Sequence, residues 1–366
     1  MLKRSFGVAA VTAAAALLLA ACSSGSDTAA SEDTAAGAAS GLACVILPDS
    51  ASSPRWENGD RPALKEALEA AGFTTDIQNA EGDTAKMLTI GDQMLASGCN
   101  VMIITDYQGA GAQVAAKSKA QGVPTIAYDR PIEGVDYYVS FDNVTVGTLQ
   151  GEGILKCLAD AGKDPKTAEL IFLDGDPTDG NAAMFAEGYD TALKAAGVEV
   201  DKAKLGAKRP DGSWDGAKAG TNFEQALTAN GGKVDAVVSA NDTNAASAIA
   251  ILDKNKLTVP VSGQDASKEG MNNVLSGKQC MTVFKDYLVE ASTAAELAIA
   301  ILKGETPTTN KQLADGTPFQ AADPQALYAD AASLEGFKAA LDRSGLTAAD
   351  VCTGDAAAKC TEIGLS

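Results

Sequence analysis

Residues 101–130 read VMIITDYQGAGAQVAAKSKAQGVPTIAYDR, and they contain the repeating unit of the chain. Val101 to Thr105 is a short apolar run rich in β-branched residues, which marks a strand. Ala110 to Gln121 has the length and composition of a helix, and Val123 to Tyr128 is a strand again. This strand–helix–strand rhythm builds a parallel sheet flanked by helices. Both strands run directly into polar residues, Asp106-Tyr107-Gln108 and Asp129-Arg130.

The rhythm extends both ways. Towards the N-terminus lie a strand at Cys44–Leu47, a helix over Arg61–Ala71 closed by Gly72, a strand at Thr74–Gln78, and a helix over Thr84–Ala96 closed by Gly98. Towards the C-terminus, strands fall near Glu169–Leu173, Val234–Ser239 and Val261–Gly263, and another ends at Val283-Phe284. An alanine-rich helix spans about 290–302, followed by a Thr-, Pro- and Asp-containing connection and a less regular tail. This is an α/β chain, and two doubly wound parallel-sheet lobes fit the count better than one barrel. Three crossings between lobes are expected: after Asp142-Asn143, around Phe284-Lys285, and near 314–323. The expected division is 41–142 for the first lobe, 143–283 for the second, 284–318 for a return to the first, and 319–366 for a crossing and an extension of the second.

The first residues have a different character. Lys3 and Arg4 precede an apolar run from Val8 to Ala21 that is too short to span a membrane comfortably and reads as an export signal, 1–21. It ends in Leu19-Ala20-Ala21-Cys22, which resembles a lipobox and makes Cys22 the expected lipidation site. Residues 22–40 are mostly Ser, Ala, Gly, Thr, Asp and Glu, and too polar to offset the entropy of ordering, so they read as a tether. The expected location is extracytoplasmic, on a lipid anchor.

The formal charge of -19 opposes nucleic-acid binding and polybasic attachment to membranes, and disfavours an anionic ligand. Six cysteines remain after Cys22: Cys44, Cys99, Cys157, Cys280, Cys352 and Cys360. An even number in an exported chain permits three disulfides among fifteen possible pairings. Cys352 with Cys360 closes a short loop, Cys44 and Cys99 open neighbouring strands, and Cys157 with Cys280 follows by elimination. With no histidine and no Cys-x-x-Cys spacing, neither a metal site nor a cofactor is expected.

Polar residues recur just beyond the strands. Arg55-Trp56 follows the first, Asp176, Asp179 and Asn181 follow Glu169–Leu173, and Asn241-Asp242 follows Val234–Ser239. Gln264-Asp265 and Lys285 end the last two, and Trp214 sits in a Gly- and Asp-containing loop. In open α/β sheets the C-terminal strand ends face the binding crevice. Each hydroxyl of a neutral polyol both donates and accepts, so a dry site for one needs carboxylates beside Arg, Lys and Asn. Trp56 and Trp214 offer flat apolar faces for the C–H surface of a pyranose. The same residues have plainer uses. Asp129 and the Asn241-Asp242 pair suit caps, Arg130 and Lys285 suit solvated turns, and both tryptophans suit ordinary packing.

Several phrases in fixed order carry a resemblance over about 44–300. They are Pro54-Arg55-Trp56, Ala127-Tyr128-Asp129-Arg130, Tyr138-Val139-Ser140-Phe141-Asp142-Asn143, Gly175-Asp176-Pro177-Thr178-Asp179-Gly180-Asn181, Asn241-Asp242, Gly263-Gln264-Asp265-Ala266 and Met281-Thr282-Val283-Phe284-Lys285. The chain resembles the bacterial xylose- and multiple-monosaccharide-binding receptors of ABC importers, of the type I periplasmic-binding-protein family. That resemblance implies two lobes closing over a free monosaccharide. Arg55, Asp129, Arg130, Asp179, Asn181, Asn241, Asp265 and Lys285 are then the implied hydrogen-bonding residues, with Trp56 or Trp214 against the sugar face. It also implies a membrane permease with its ATPase as partner. The expected protein is a monomer that binds D-xylose without altering it, with a receptor for several sugars, such as glucose, galactose and arabinose, as the alternative. Pro318 to Tyr328 departs from the pattern, Phe284 stands where tyrosine is favoured, and Asp176 replaces a serine.

A surface glycoside hydrolase is the alternative from another class, because Asp129, Asp179 and Asp265 include candidate acid/base pairs. The absence of histidine removes the common triads, and the receptor resemblance accounts for the same carboxylates without turnover. A regulator on the same scaffold would carry a helix-turn-helix where this chain has a signal and a tether.

Overall fold

The structure, a computed structural model, describes residues 41–365. The expected signal 1–21, the lipidation site Cys22 and the tether 22–40 lie outside the described residues.

Alternation of short buried strands with helices begins at once. The first lobe runs β1 (Leu42–Leu47), α1 (Arg61–Ala70), β2 (Thr74–Asn79), α2 (Thr84–Ala96), β3 (Val101–Ile104), α3 (Ala110–Ala120), β4 (Thr125–Tyr128) and β5 (Tyr137–Phe141). Every residue of β3 and β4 is buried, as a strand covered on both faces requires. β5 is a strand that the apolar runs did not indicate, since its Ser140 is polar yet wholly buried.

The second lobe runs α4 (Asn143–Asp160), β6 (Leu170–Leu173), α5 (Gly180–Ala195), the short α6 (Lys202–Leu205), α7 (Gly216–Ala229), β7 (Ala236–Ser239), α8 (Asp242–Lys254), α9 (Lys268–Leu275) and β8 (Met281–Phe284). β6 and β7 pair in parallel. The expected strand at 261–263 is reduced to single bridges, Val237 with Val261 and Gln264 with Val283. The left-handed φ values of Asp265 and Ala266, 104° and 48°, end extended pairing there.

The chain then returns through α10 (Tyr287–Leu302), β9 (Lys311–Gln312) and β10 (Pro318–Ala322). β10 lies parallel to β5 and antiparallel to β9, so the first sheet is ordered β2-β1-β3-β4-β5-β10-β9. Its two faces carry separate cores. Side chains of α2 and α3 pack on one, and those of α1 and α10 on the other. The third passage between sheets is at Asp323-Pro324, because β11 (Gln325–Tyr328) pairs antiparallel with β8. This corrects the division that assigned 319 onward to a crossing and the second lobe. Buried Phe319 stacks on Tyr138 at 4.5 Å and holds β10 in the first sheet. The tail, α11 (Leu334–Arg343), α12 (Ala348–Val351) and α13 (Ala356–Ile363), packs with α9 and β11 in a core of its own.

Two glycines set the spacing of α4 and α5. A Cβ on Gly147 would lie 2.0 Å from the Phe185 carbonyl oxygen, and one on Gly188 2.2 Å from that of Val144. Only bare backbone allows this approach.

Three disulfides tie the described residues: Cys44–Cys99 from β1 to the turn before β3, Cys157–Cys280 from α4 to the residue before β8, and Cys352–Cys360 in the tail. The last spans eight residues of sequence separation, so chain entropy assigns it about 2.5 kcal/mol. Replacing Cys352 and Cys360 together by serine is expected to lower the unfolding free energy by that order in a urea melt. An unchanged midpoint would show that the tail does not share the cooperative unfolding of the body.

Candidate functional site

The chain just beyond β1, β4, β6, β7 and β8 delivers side chains to the gap between the lobes. Arg55 lies beyond β1, at the entry to a π-helical turn, Trp56–Asp60, that leads into α1. Its guanidinium donates to both Asp60 oxygens at 2.8 and 2.9 Å, to Glu290 at 2.5 Å and to Asp129 at 3.1 Å. The Tyr128 hydroxyl also donates to Asp60. Burial disfavours the Arg55 charge, but Asp60, Glu290 and Asp129 more than offset it and hold its pKa well above the ordinary value.

Asp129 ends β4 at φ 62°. Its carbonyl oxygen accepts from Ser140 Oγ at 2.8 Å, Tyr138 OH at 2.9 Å and Asn181 Nδ2 at 2.8 Å, which fixes this sparsely populated backbone. Burial works against the Asp129 charge, yet Lys285, Arg55 and Arg130 prevail and hold its carboxyl below the usual range. Lys285 Nζ lies 3.6 Å from it.

Arg130 reaches across to Asp179 at 3.3 Å, and donates to the Asp106 carbonyl at 2.8 Å and Ser52 Oγ at 3.2 Å. Asp179 and Asn241 are helix N-caps, a role the sequence suggested only for Asn241, and they also line the cavity. Asp179 Oδ1 accepts the Asn181 amide, while its Oδ2 takes the Trp214 indole at 3.1 Å. Asn241 Oδ1 accepts the Asn244 amide, and its side-chain nitrogen makes no hydrogen bond among the described residues. Capping and lining are compatible because each side chain has two polar ends.

All ten residues singled out in the sequence, Arg55, Trp56, Asp129, Arg130, Asp179, Asn181, Trp214, Asn241, Asp265 and Lys285, line one cavity of about 390 Å3 counting its mouth. Ser52, Ser53, Phe185 and Gln264 line it too and were not singled out. Gln264 stands beside Asp265 at a strand end already noted in the sequence, though it was not among the residues assigned to the ligand. Asn181 is mostly committed within the protein, its Oδ1 accepting from Tyr138 at 3.0 Å and Asn143 at 2.8 Å. One side of Trp56 is covered by Arg55, whose guanidinium carbon sits 4.5 Å from the ring centroid. Trp214 meets Phe185 edge to face at 6.3 Å and packs on Gly175, where a Cβ would fall 2.1 Å from its ring.

Burial pushes Asp265 up to about 6, with Lys285 and Arg55 pulling the other way, and burial raises Asp179 against Arg130. Three cations therefore sit among several acids. An anion would meet Asp129, Asp179 and Asp265, whereas a neutral molecule bearing hydroxyls finds donors and acceptors together.

Residues 44–306 match the periplasmic binding protein domain. The D-xylose-binding periplasmic protein of Escherichia coli (strain K12) is 33% identical over 267 residues, covering 72% of this chain and 78% of that one. The multiple sugar-binding periplasmic protein SbpA of Azospirillum brasilense is 34% identical over 292 residues, covering 74% and 80%. Among solved structures, an ABC transporter solute binding protein from Clostridium phytofermentans with bound β-D-glucose superposes with a TM-score of 0.68 at 30% identity, covering 78% and 93%. The two-lobed α/β architecture, with parallel strands ending at a shared cleft, is that of the type I fold. With the cleft and these relatives taken together, the chain belongs to the periplasmic-binding-protein family, a non-catalytic family associated with transport.

Proposed function

We propose that this protein captures a free aldopyranose in the cleft and delivers it to the permease of an ABC importer, accepting both xylose and glucose. The observation that carries this reading is the make-up of the cavity. Carboxylates, cations and an unengaged amide nitrogen from both lobes surround a space bounded by Trp56, Trp214 and Phe185. A ligand that touches both lobes favours the closed state, and closure forms the surface a permease reads. Breadth is favoured over a dedicated xylose site because relatives of similar identity are named for xylose and for multiple sugars, and a related structure holds glucose. Cys22 anchors the mature chain by lipid outside the membrane, and the receptor works as a monomer.

The test is thermal unfolding of ligand-stripped 41–366 with xylose, glucose, galactose, arabinose, ribose and myo-inositol. A ligand at about 100 times its Kd adds about 2.7 kcal/mol to the native state, enough to move the midpoint by several degrees. Both xylose and glucose are expected to raise the Tm. A rise with xylose alone would make it a dedicated xylose receptor, and no rise across the panel would overturn the monosaccharide reading.

A further inference from the structure

Glu290 is completely buried in α10, part of the first lobe, and belongs to no strand end. One of its oxygens accepts from Arg55 at 2.5 Å, while the other, Oε1, has no hydrogen-bond partner among the described residues. Arg55 thus carries three carboxylates on one guanidinium: Asp60 and Glu290 from within the first lobe, and Asp129 beside the cavity. One carboxylate neutralises an arginine and a second can orient it, so the third needs another account.

We propose that Glu290 is a positioning residue that, as a neutral acid, holds Arg55 in register for the ligand, and that its ionisation draws Arg55 away from the cavity. This rests on the reading of the cavity as a sugar site.

The surroundings of Glu290 support the neutral form. The charged groups around it are Arg55 and Asp60 from the turn before α1, Asp129 from the end of β4, and Lys285 from the crossing after β8, with the Tyr128 hydroxyl on Asp60. Burial raises the Glu290 pKa to about 8, Arg55 opposes the rise, and Asp129 adds to it. Once ionised, Glu290 competes with Asp129 and with the ligand for the Arg55 N–H groups. Affinity should then fall as the pH passes 8.

Stability has its own sign. Below the ordinary carboxyl range, folded and unfolded chains both hold this proton. Between that range and about 8, the unfolded chain releases it and the fold retains it, so this group lowers stability as the pH rises.

The experiment compares wild type, Glu290→Gln and Glu290→Leu at pH 6 to 9. Calorimetric titration with xylose and glucose should show wild-type affinity falling at least threefold from pH 7 to pH 9. Glu290→Gln keeps the neutral geometry and should give a flat profile. Glu290→Leu should weaken binding at every pH. A separate readout needs no ligand. Arg55 covers Trp56, so in a Trp214→Phe background the Trp56 emission should titrate near pH 8 in the parent and not with Glu290→Gln. Emission that titrates identically with Glu290→Gln would overturn the proposal. If emission behaves as expected but no sugar binds, the sugar reading fails and the positioning role stands. A wild-type affinity equal at pH 7 and pH 9, with sugar bound, would overturn the coupling.

Discussion

Asp129→Asn is expected to lower affinity for xylose and glucose by about 100-fold while leaving the protein folded. Asn keeps the shape of the side chain and is among the few residues that tolerate φ near 62°. What it loses is the charge that Arg55 and Lys285 share and that a ligand hydroxyl would donate to. A hydrogen bond to a charged group contributes about 1.5–3 kcal/mol, which is roughly 10- to 150-fold in a dissociation constant. Titration calorimetry reads the loss, and circular dichroism checks the fold. An unchanged dissociation constant would remove Asp129 from the residues that touch the sugar.

Gly147→Ala is expected to cost about 3 kcal/mol and to lower the Tm by about 4 °C. Alanine is intrinsically the better helix former by up to about 1 kcal/mol, so propensity predicts the opposite sign. The clash decides it. The new methyl would stand 2.0 Å from the Phe185 carbonyl oxygen, a backbone atom that cannot rotate aside, so α4 and α5 must separate. Phe185 lines the cavity, and sugar affinity should fall as well. Gly220→Ala is the control. In α7 its Cβ would meet nothing nearer than 3.6 Å, so that variant should be neutral or slightly stabilised. If both variants melt alike, close helix approach is not what Gly147 provides.

The sequence showed the alternation of strands and helices because buried parallel strands leave plain apolar runs, as at Val101–Ile104. It misled where polarity is buried or the ladder is thin. Tyr137–Phe141 hides Ser140 inside and gave no strand signal, whereas the apolar run at 261–263 read as a strand but pairs only through single bridges. Pro318–Ala322 is a short, half-buried strand held by its ladder with β5 and by the stacking of Phe319 on Tyr138. At the site, residues just beyond strands could be located by position. Glu290 could not, because no strand end marks it, although it falls on the buried stripe of α10 with Tyr287, Ala294 and Leu297. That spacing was the available signal, and it says only that an acid is inside, not what it touches. Phe185 was out of reach for a similar reason. An apolar residue on a helix reads as core whether or not a cavity borders it.

The insertion of β10 beside β5 has a consequence for the order of events during folding. β5 keeps an unpaired edge until residues 318–322 have been made, after the entire second lobe. A chain emerging from its N-terminus therefore cannot complete its first lobe first. The two lobes must mature together through contacts distant in sequence, which are slow to form and leave a strand edge open meanwhile. Refolding should accordingly show one late step in which the first sheet and the cleft appear together, and truncation before Pro318 should yield an aggregating product instead of an isolated first lobe.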